Sequence, residues 1–405
     1  MKISKNMPRL SAIAGAAALS AITAVTLGAV PALAAGNSSA KSAANLNCSK
    51  TLKIAIVTPL TGGAAFLGQE QLTWAKYAIK TLAPSMGLKI QLLQGDTPVE
   101  QGPSPAQTLA QKYAADPAVV GIIGPSTSGA VAASSKAYGQ AGIVQISPSA
   151  TRTTLTKGTP REAATSFFRD VPADDVQGPS DANYMIKTLK VKKVVLIDFQ
   201  EPYSAGLAGA TETVLKAAGV STSRQSIPNT VTDFSSYVTN VPSDADVVFF
   251  PSQKPADAQA FASQLVEQGK KAKVFGGDGT NGQGVFKATG AYLSNFAPDI
   301  SGIAADKAII AGWKKDNKGK TVGSFGPPTY GATQILLKAI KLACDAGKGT
   351  IKKRSAVITD MKKVTVPNFI LGGTFTWSKT DSQDPAGARF YIFQIQSDGT
   401  YKLVG

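Results

Sequence analysis

From residue 51 onward, short uninterrupted apolar runs alternate with segments of helical period. LKIAIV (52–57), LKIQLLQ (88–94), VVGIIG (119–124) and IVQIS (143–147) read as strands, and 67–82, 106–115 and 130–142 as the helices between them. A strand with one wet face alternates polar and apolar residues. These runs do not, so both faces must be covered, as in a parallel sheet whose crossovers are helices. The pattern starts again with VKKVVLIDF (191–199), a helix over 204–218, ADVVFF (245–250), a helix over 257–268 and AKVFGG (272–277). The stretch between the two units, FFRDVPADD (167–175), reads as extended and carries Pro172. Two α/β units joined this way predict two lobes with a cleft between them, and 405 residues are too many for one ordinary core.

The N-terminus sets the expected compartment. Lys2, Lys5 and Arg9 precede an Ala-rich apolar run over 10–30, and Ala32, Leu33 and Ala34 form an A-x-A site. This is the pattern of a signal peptide over 1–34, cut near Ala34, followed by a small, polar, flexible leader over 35–50. A secreted, extracytoplasmic protein is expected. NLN before Cys48 lacks the small residue of a lipobox. In an oxidising compartment Cys48 and Cys344 could form one disulfide; two unpaired thiols are the alternative.

Charge and composition exclude more than they assign. There are 42 Lys and Arg against 26 Asp and Glu, a formal charge of +16. The lysines are scattered in pairs (192–193, 270–271, 314–315, 352–353, 362–363), with no basic run interleaved with aromatics. They read as a solvated surface, and no nucleic-acid partner is expected. The chain has no histidine. That removes Ser-His-Asp and Cys-His machinery and every His-ligated metal, and neither cofactor nor metal is expected.

In open parallel sheets, ligands sit beyond the carboxyl ends of the strands. The residues there are TPLTGG (58–63), GPSTS (124–128), SPSAT (147–151), QEPY (200–203), Ser252-Gln253 and GDG (277–279). PSTSG opens a helix, and Ser126, Thr127 and Ser128 are all plausible N-caps. The same hydroxyls, with free N–H groups at the positive end of a helix, also suit a carboxylate, and SPSAT repeats that chemistry one strand later. GGDGTNG (276–282) is either an ordinary Asp-Gly turn or a carboxylate, Asp278, aimed at a ligand ammonium; it lacks G-x-G-x-x-G spacing. Tyr203 is either a core aromatic or a ring covering a ligand. Trp74, Tyr77, Trp313 and Trp377 read as packing.

IAIVTPLTGGAAFLGQ, GIIGPSTSGA, QISPSATRTTLT, FFRDVPADDVQGP, VVLIDFQEPYSAGLA, VFFPSQKPADAQAF, FGGDG and PTYGATQILLKAIKLA follow one another in order. In this the chain resembles the branched-chain amino-acid (leucine/isoleucine/valine-type) substrate-binding proteins of ABC importers, over about 51–400. The resemblance implies a type I periplasmic binding protein: an α/β fold of two Rossmann-like lobes with parallel sheets, joined by three crossover strands near 169–172, 295–298 and 372–377. The N-terminal lobe would be 51–169 plus 299–371, and the C-terminal lobe 170–298 plus 372–405. Cys344 would return near Cys48. The ligand carboxylate would be held at Ser128, Ser149 and Thr151, with Tyr203 beside it and the ammonium on Asp278. The family commonly has a glutamate where Asp278 stands, and Gln253 and Leu67 replace aromatic contacts of the prototype, so the side-chain pocket differs. The implied function is capture of an amino acid or similar small polar ligand and delivery to an ABC permease, by a monomer that does no chemistry. The alternative is a ligand-sensing receptor module for a signalling partner. An enzyme built on Ser128 is disfavoured, because there is no His and no Ser-x-x-Lys at that serine.

Overall fold

The computed structural model describes residues 45–381 and 383–405. The expected signal peptide and the leader up to 44 lie outside the described residues. The chain starts with a short strand, β1 (Leu46–Asn47), and then builds a sheet from β2 (Thr51–Thr58), β3 (Lys89–Asp96), β4 (Val119–Ile123), β5 (Val144–Ser147) and β6 (Phe167–Arg169). Their spatial order is β3-β2-β4-β5-β6, and every neighbouring pair is parallel. Helices α1 (Ala65–Leu82), α2 (Ser104–Ala115) and α3 (Ser128–Gln140) are the crossovers. Burial follows the sequence pattern: all five residues of β4 and all four of β5 are buried. The stretch read as a linker contributes β6, in register with β5, before α4 (Asp174–Lys187) begins.

The second sheet takes β7 (Lys193–Asp198), β8 (Ser221–Ser226), β9 (Val247–Phe250), β10 (Lys273–Gly276) and β11 (Tyr292–Asn295), with α5 (Pro202–Ala217), α6 (Ser235–Thr239) and α7 (Pro255–Glu267) between them. Pro202 and Pro255 stand in the first turns of α5 and α7, where a missing N–H costs nothing. Strand β8, STSRQS, has no apolar residue, because it is an edge strand with no buried position. The chain then returns to the first sheet with α8 (Lys307–Asp316), α9 (Gly326–Ala346), β12 (Thr350–Ile351) and α10 (Ser355–Met361). It ends in the second sheet with β13 (Tyr391–Ile395), antiparallel to β11, and β14 (Tyr401–Leu403), antiparallel to β13.

The first core lies between the sheet and α1, α9 and α10. Trp74 and Trp313 are stacked there with centroids 4.7 Å apart, and Tyr330 meets Trp74 edge-on. These tryptophans are packing residues, as their helical positions suggested. The second lobe is centred on Phe199, Phe234, Phe250 and Phe261.

Two boundaries differ from the sequence reading. The flexible leader does not extend to 50. Leu46 and Asn47 pair with Ile351 and Thr350, and Cys48 is buried and bonded to Cys344 at the end of α9. The third passage between the sheets is not at 372–377. Phe375 and Trp377 pack on the first core, where Trp377 lies against Phe168 and its Nε1 donates to Met361 O (2.7 Å). Gln383 and Asp384 then bond to β6. The aromatic pair needs the core it completes, so the chain leaves only after 384. Val171, Phe296 and Phe390, one from each of the three passages, meet Leu67 and Phe325 in a single apolar cluster. Among the described residues no helix is long and apolar enough to cross a membrane.

Candidate functional site

The first wall of the cleft is formed by the carboxyl ends of β2, β4 and β5. Gly124 ends β4 at φ +105°, and a Cβ there would lie 2.4 Å from Val57 O, so only glycine fits. Thr127 caps α3 by accepting Ala130 N–H (3.3 Å). Ser126 and Ser149 are tied together by Gln71 of α1: Ser126 Oγ donates to Gln71 Oε1 (2.6 Å), and Gln71 Nε2 donates to Ser149 Oγ (2.9 Å). Ser149 Oγ itself donates to Ser126 O (2.7 Å). Ser128 Oγ accepts Arg152 N–H (3.2 Å), and its own proton is uncommitted among the described contacts. The first N–H groups of α3 have no partner within the helix. This wall therefore offers donors, with the positive end of α3 behind them.

The second wall comes from the turn after β10 and the start of α5. Asp278 is 3% exposed, and its Oδ1 accepts Tyr203 OH (2.8 Å). Tyr203 OH in turn accepts Gly279 N–H (3.1 Å). The close fit needs Gly277, since a Cβ there would stand 2.4 Å from the Tyr203 hydroxyl. Glu201 caps α5, its two oxygens accepting the N–H groups of Tyr203 (2.9 Å) and Ser204 (2.7 Å). It also accepts Gln253 Nε2 (3.0 Å). Asp174 opens α4 with both oxygens buried and unpartnered.

Burial disfavours the charged form of all these acids. It pushes Asp278 up to about 6 and Glu201 up to about 7. Asp174 is pushed up to about 8, by burial first and then by the charge of Asp278. Asp181, bonded to Ser294 (3.0 Å), lies well above the usual carboxylate range for the same reason. The wall is a concentration of carboxyl groups that a cation would relieve.

The structure brings Leu67, Ser128, Ser149, Tyr203, Gln253 and Asp278 to one small cavity, with Ser126, Thr127 and Gly279. Thr151 is not part of the lining. It is fully buried behind it, with its hydroxyl unpartnered and its carbonyl accepting Asp174 N–H (2.8 Å). The sequence reading missed Gln71, Arg152 and Asp174. Gln71 looks like any polar residue on a helix, and Asp174 fell in the presumed linker. Arg152 bonds Glu162 and reaches across the cleft to Pro202 O (2.5 Å). A larger groove of about 780 Å³ lies between the lobes, lined by Phe66, Glu70, Val285, Trp313 and Tyr401 among others, and holds none of the residues read as ligand-binding from the sequence. Among the described residues no group of three or more His, Cys, Asp or Glu could hold a metal ion.

These acids give the unliganded fold a definite pH dependence. Asp174, Asp278, Glu201 and Glu70, the last pushed up to about 7 by burial at the start of α9, bind protons more tightly folded than unfolded. Unfolding in this range therefore releases protons, and stability falls as pH rises. Their contribution is fully present near pH 4 and is lost as pH rises through about 6 to 8. The melting temperature of the ligand-free protein is expected to increase from pH 8 to pH 5; a monotonic decrease would contradict the burial of these groups.

Residues 51–400 match the periplasmic binding protein family. A Leu/Ile/Val-binding protein homolog of Brucella abortus is 27% identical over 360 residues, covering 87% of this chain and 92% of its own. Among solved structures, a leucine-binding protein from Thermotoga maritima superposes with a TM-score of 0.76 at 20% identity, over 87% of this chain and 98% of its own. A branched-chain amino-acid transporter substrate-binding protein from Streptococcus pneumoniae, in complex with isoleucine, gives 0.74 at 22% identity, over 88% and 99%. The two-lobed α/β architecture is thus the one found in these structures.

Proposed function

The chain belongs to the periplasmic binding protein family, and on that premise we propose that it captures a small α-amino acid between its lobes and delivers it to an ABC permease. The family places it outside the cytoplasm, and it binds and releases without chemistry. In this reading residues 1–34 are a signal peptide cut near Ala34. The first lobe comprises 51–169 with 299 to about 384, and the second the remainder. The protein works as a monomer.

The observation that carries the reading is the opposition of charge across one cavity. Uncommitted donors and the N-terminus of α3 stand on one wall, and the buried Asp278 on the other. A zwitterion matches both: its carboxylate takes the N–H groups of α3 and the hydroxyl of Ser128, and its ammonium takes Asp278. Ser149 shapes the carboxylate end from the cavity wall and Thr151 supports that loop from behind, and Tyr203 covers the ligand while orienting Asp278. Arg152 bridges the lobes when they close.

Calorimetric titration of ligand-stripped protein with the common amino acids, short amides and aromatic acids tests this. Heat with α-amino acids supports it; binding only to ligands without an ammonium would remove Asp278 from its role. Ser128→Ala is expected to weaken amino-acid binding by about 1.5–3 kcal/mol, the range for a hydrogen bond to a charged group. Its helix should persist, because Thr127 and not Ser128 is the cap. An affinity equal to wild type would take Ser128 out of the carboxylate site.

A further inference from the structure

We propose that Gln253 makes its part of the cavity a hydrogen-bond acceptor, so that the preferred amino acid carries a donor on its side chain, a hydroxyl or a primary amide, and not a hydrocarbon alone. The inference rests on the α-amino-acid reading above and adds the side-chain class to it.

The orientation of the Gln253 amide follows from its neighbour. Glu201 is pinned as the cap of α5 by two backbone N–H groups, and its remaining acceptor capacity faces Gln253 at 3.0 Å. Ionised Glu201 can only accept, so in that form the amide turns its NH₂ toward Glu201 and its carbonyl away, the orientation of the structure. That carbonyl, Oε1, is buried and has no partner among the described residues. An orphaned buried acceptor costs about 1–3 kcal/mol, and one that belongs to a residue lining a cavity calls for a donor from the cavity's occupant. The two donors beside Asp278 are committed. Tyr203 OH is spent on Asp278, and Gly279 N–H on Tyr203. Gln253 is also held in place from behind: a Cβ on Gly279 would come within 3.1 Å of its Cα and 2.5 Å of Ser252 O.

Gln253 lines the same cavity as Asp278, with Leu67 on the facing lobe. A ligand held there by its α-ammonium and carboxylate extends its side chain between an apolar surface and an unsatisfied carbonyl. Threonine, serine, asparagine and glutamine supply the missing donor. Valine, the isostere of threonine, supplies a methyl group and leaves the carbonyl unpaired in a closed site. A site built around a hydrogen bond discriminates more strongly against the analogue lacking the donor than an apolar pocket does against an added hydroxyl.

The test is calorimetric titration of the wild-type protein with two near-isosteric pairs, threonine against valine and asparagine against leucine, repeated on Gln253→Leu. The expected result is at least a roughly tenfold preference for the donor-bearing member of each pair, abolished or reversed in the variant. Thermal unfolding checks that the variant is folded; the wild-type comparison stands without it. Valine and leucine binding as tightly as threonine and asparagine to wild type would overturn the proposal while leaving the amino-acid reading intact. Absence of heat with every amino acid would overturn both.

Discussion

Replacing Asp278 by asparagine is expected to weaken amino-acid binding by at least about a hundredfold, with the unliganded protein as stable as wild type or more so. Both halves come from the same burial. The carboxyl group is 3% exposed, and its surroundings push it up to about 6, so the empty site bears a penalty for the negative charge. Asparagine keeps the shape and still accepts from Tyr203, and it removes that penalty. A ligand ammonium facing asparagine would instead be desolvated without a counter-charge. Losing one partner of a buried charge pair costs about 2–5 kcal/mol or more, and 2.7 kcal/mol is a hundredfold. Titration calorimetry and thermal unfolding on the same preparation measure the two effects. A dissociation constant within threefold of wild type would mean that the ammonium is held elsewhere.

The largest loss of stability is expected from Arg169→Met. Arg169 is fully buried at the end of β6. Its Nε donates to Asp384 Oδ1 (2.9 Å), and one terminal nitrogen donates to the carbonyls of Ala150 (3.1 Å) and Arg152 (2.9 Å). The other terminal nitrogen bonds the Thr156 hydroxyl. One side chain thus fastens the 380s segment to the first sheet and holds the backbone on both sides of Thr151. Methionine fills similar space and leaves Asp384 Oδ1 and two carbonyls without the N–H groups of Arg169, while the Thr156 hydroxyl still donates to Asp384 Oδ2 (3.1 Å). Removing one member of a buried pair costs about 3–5 kcal/mol. Urea unfolding should show that loss, and ligand affinity should fall as well, because the SPSAT loop loses its support. A loss under about 1 kcal/mol would show that water reaches Asp384 and solvates it.

The same pair shows why part of the site was not legible beforehand. Arg169 and Asp384 are 215 residues apart. Either is an unremarkable charge in its own stretch, and nothing local selects one partner among 42 cations and 26 acids. Gln71 is likewise a single polar residue on α1 until the fold sets it beneath two strand ends. Strand β8 was missed because period reports a buried face, and an edge strand without one has no period to read.

What the sequence by itself determined is whatever depends on neighbours along the chain: unbroken apolar runs for doubly covered strands, helices between them, hydroxyl-rich turns at strand ends, and Asp278 in a glycine turn. These are local because a parallel α/β unit buries its residues at short sequence separation, and the strand ends follow from it. Only the tertiary structure decided that Ser128, Ser149, Tyr203, Gln253 and Asp278 line one cavity, that Thr151 lies behind it, and that Glu201 turns the Gln253 amide. It also decided that the third passage waits until Phe375 and Trp377 have closed the first core. Each of these depends on which polar group or ring meets which across distant segments, and that pairing is chosen by burial, where an unmatched donor or charge is costly, and not by position in the chain.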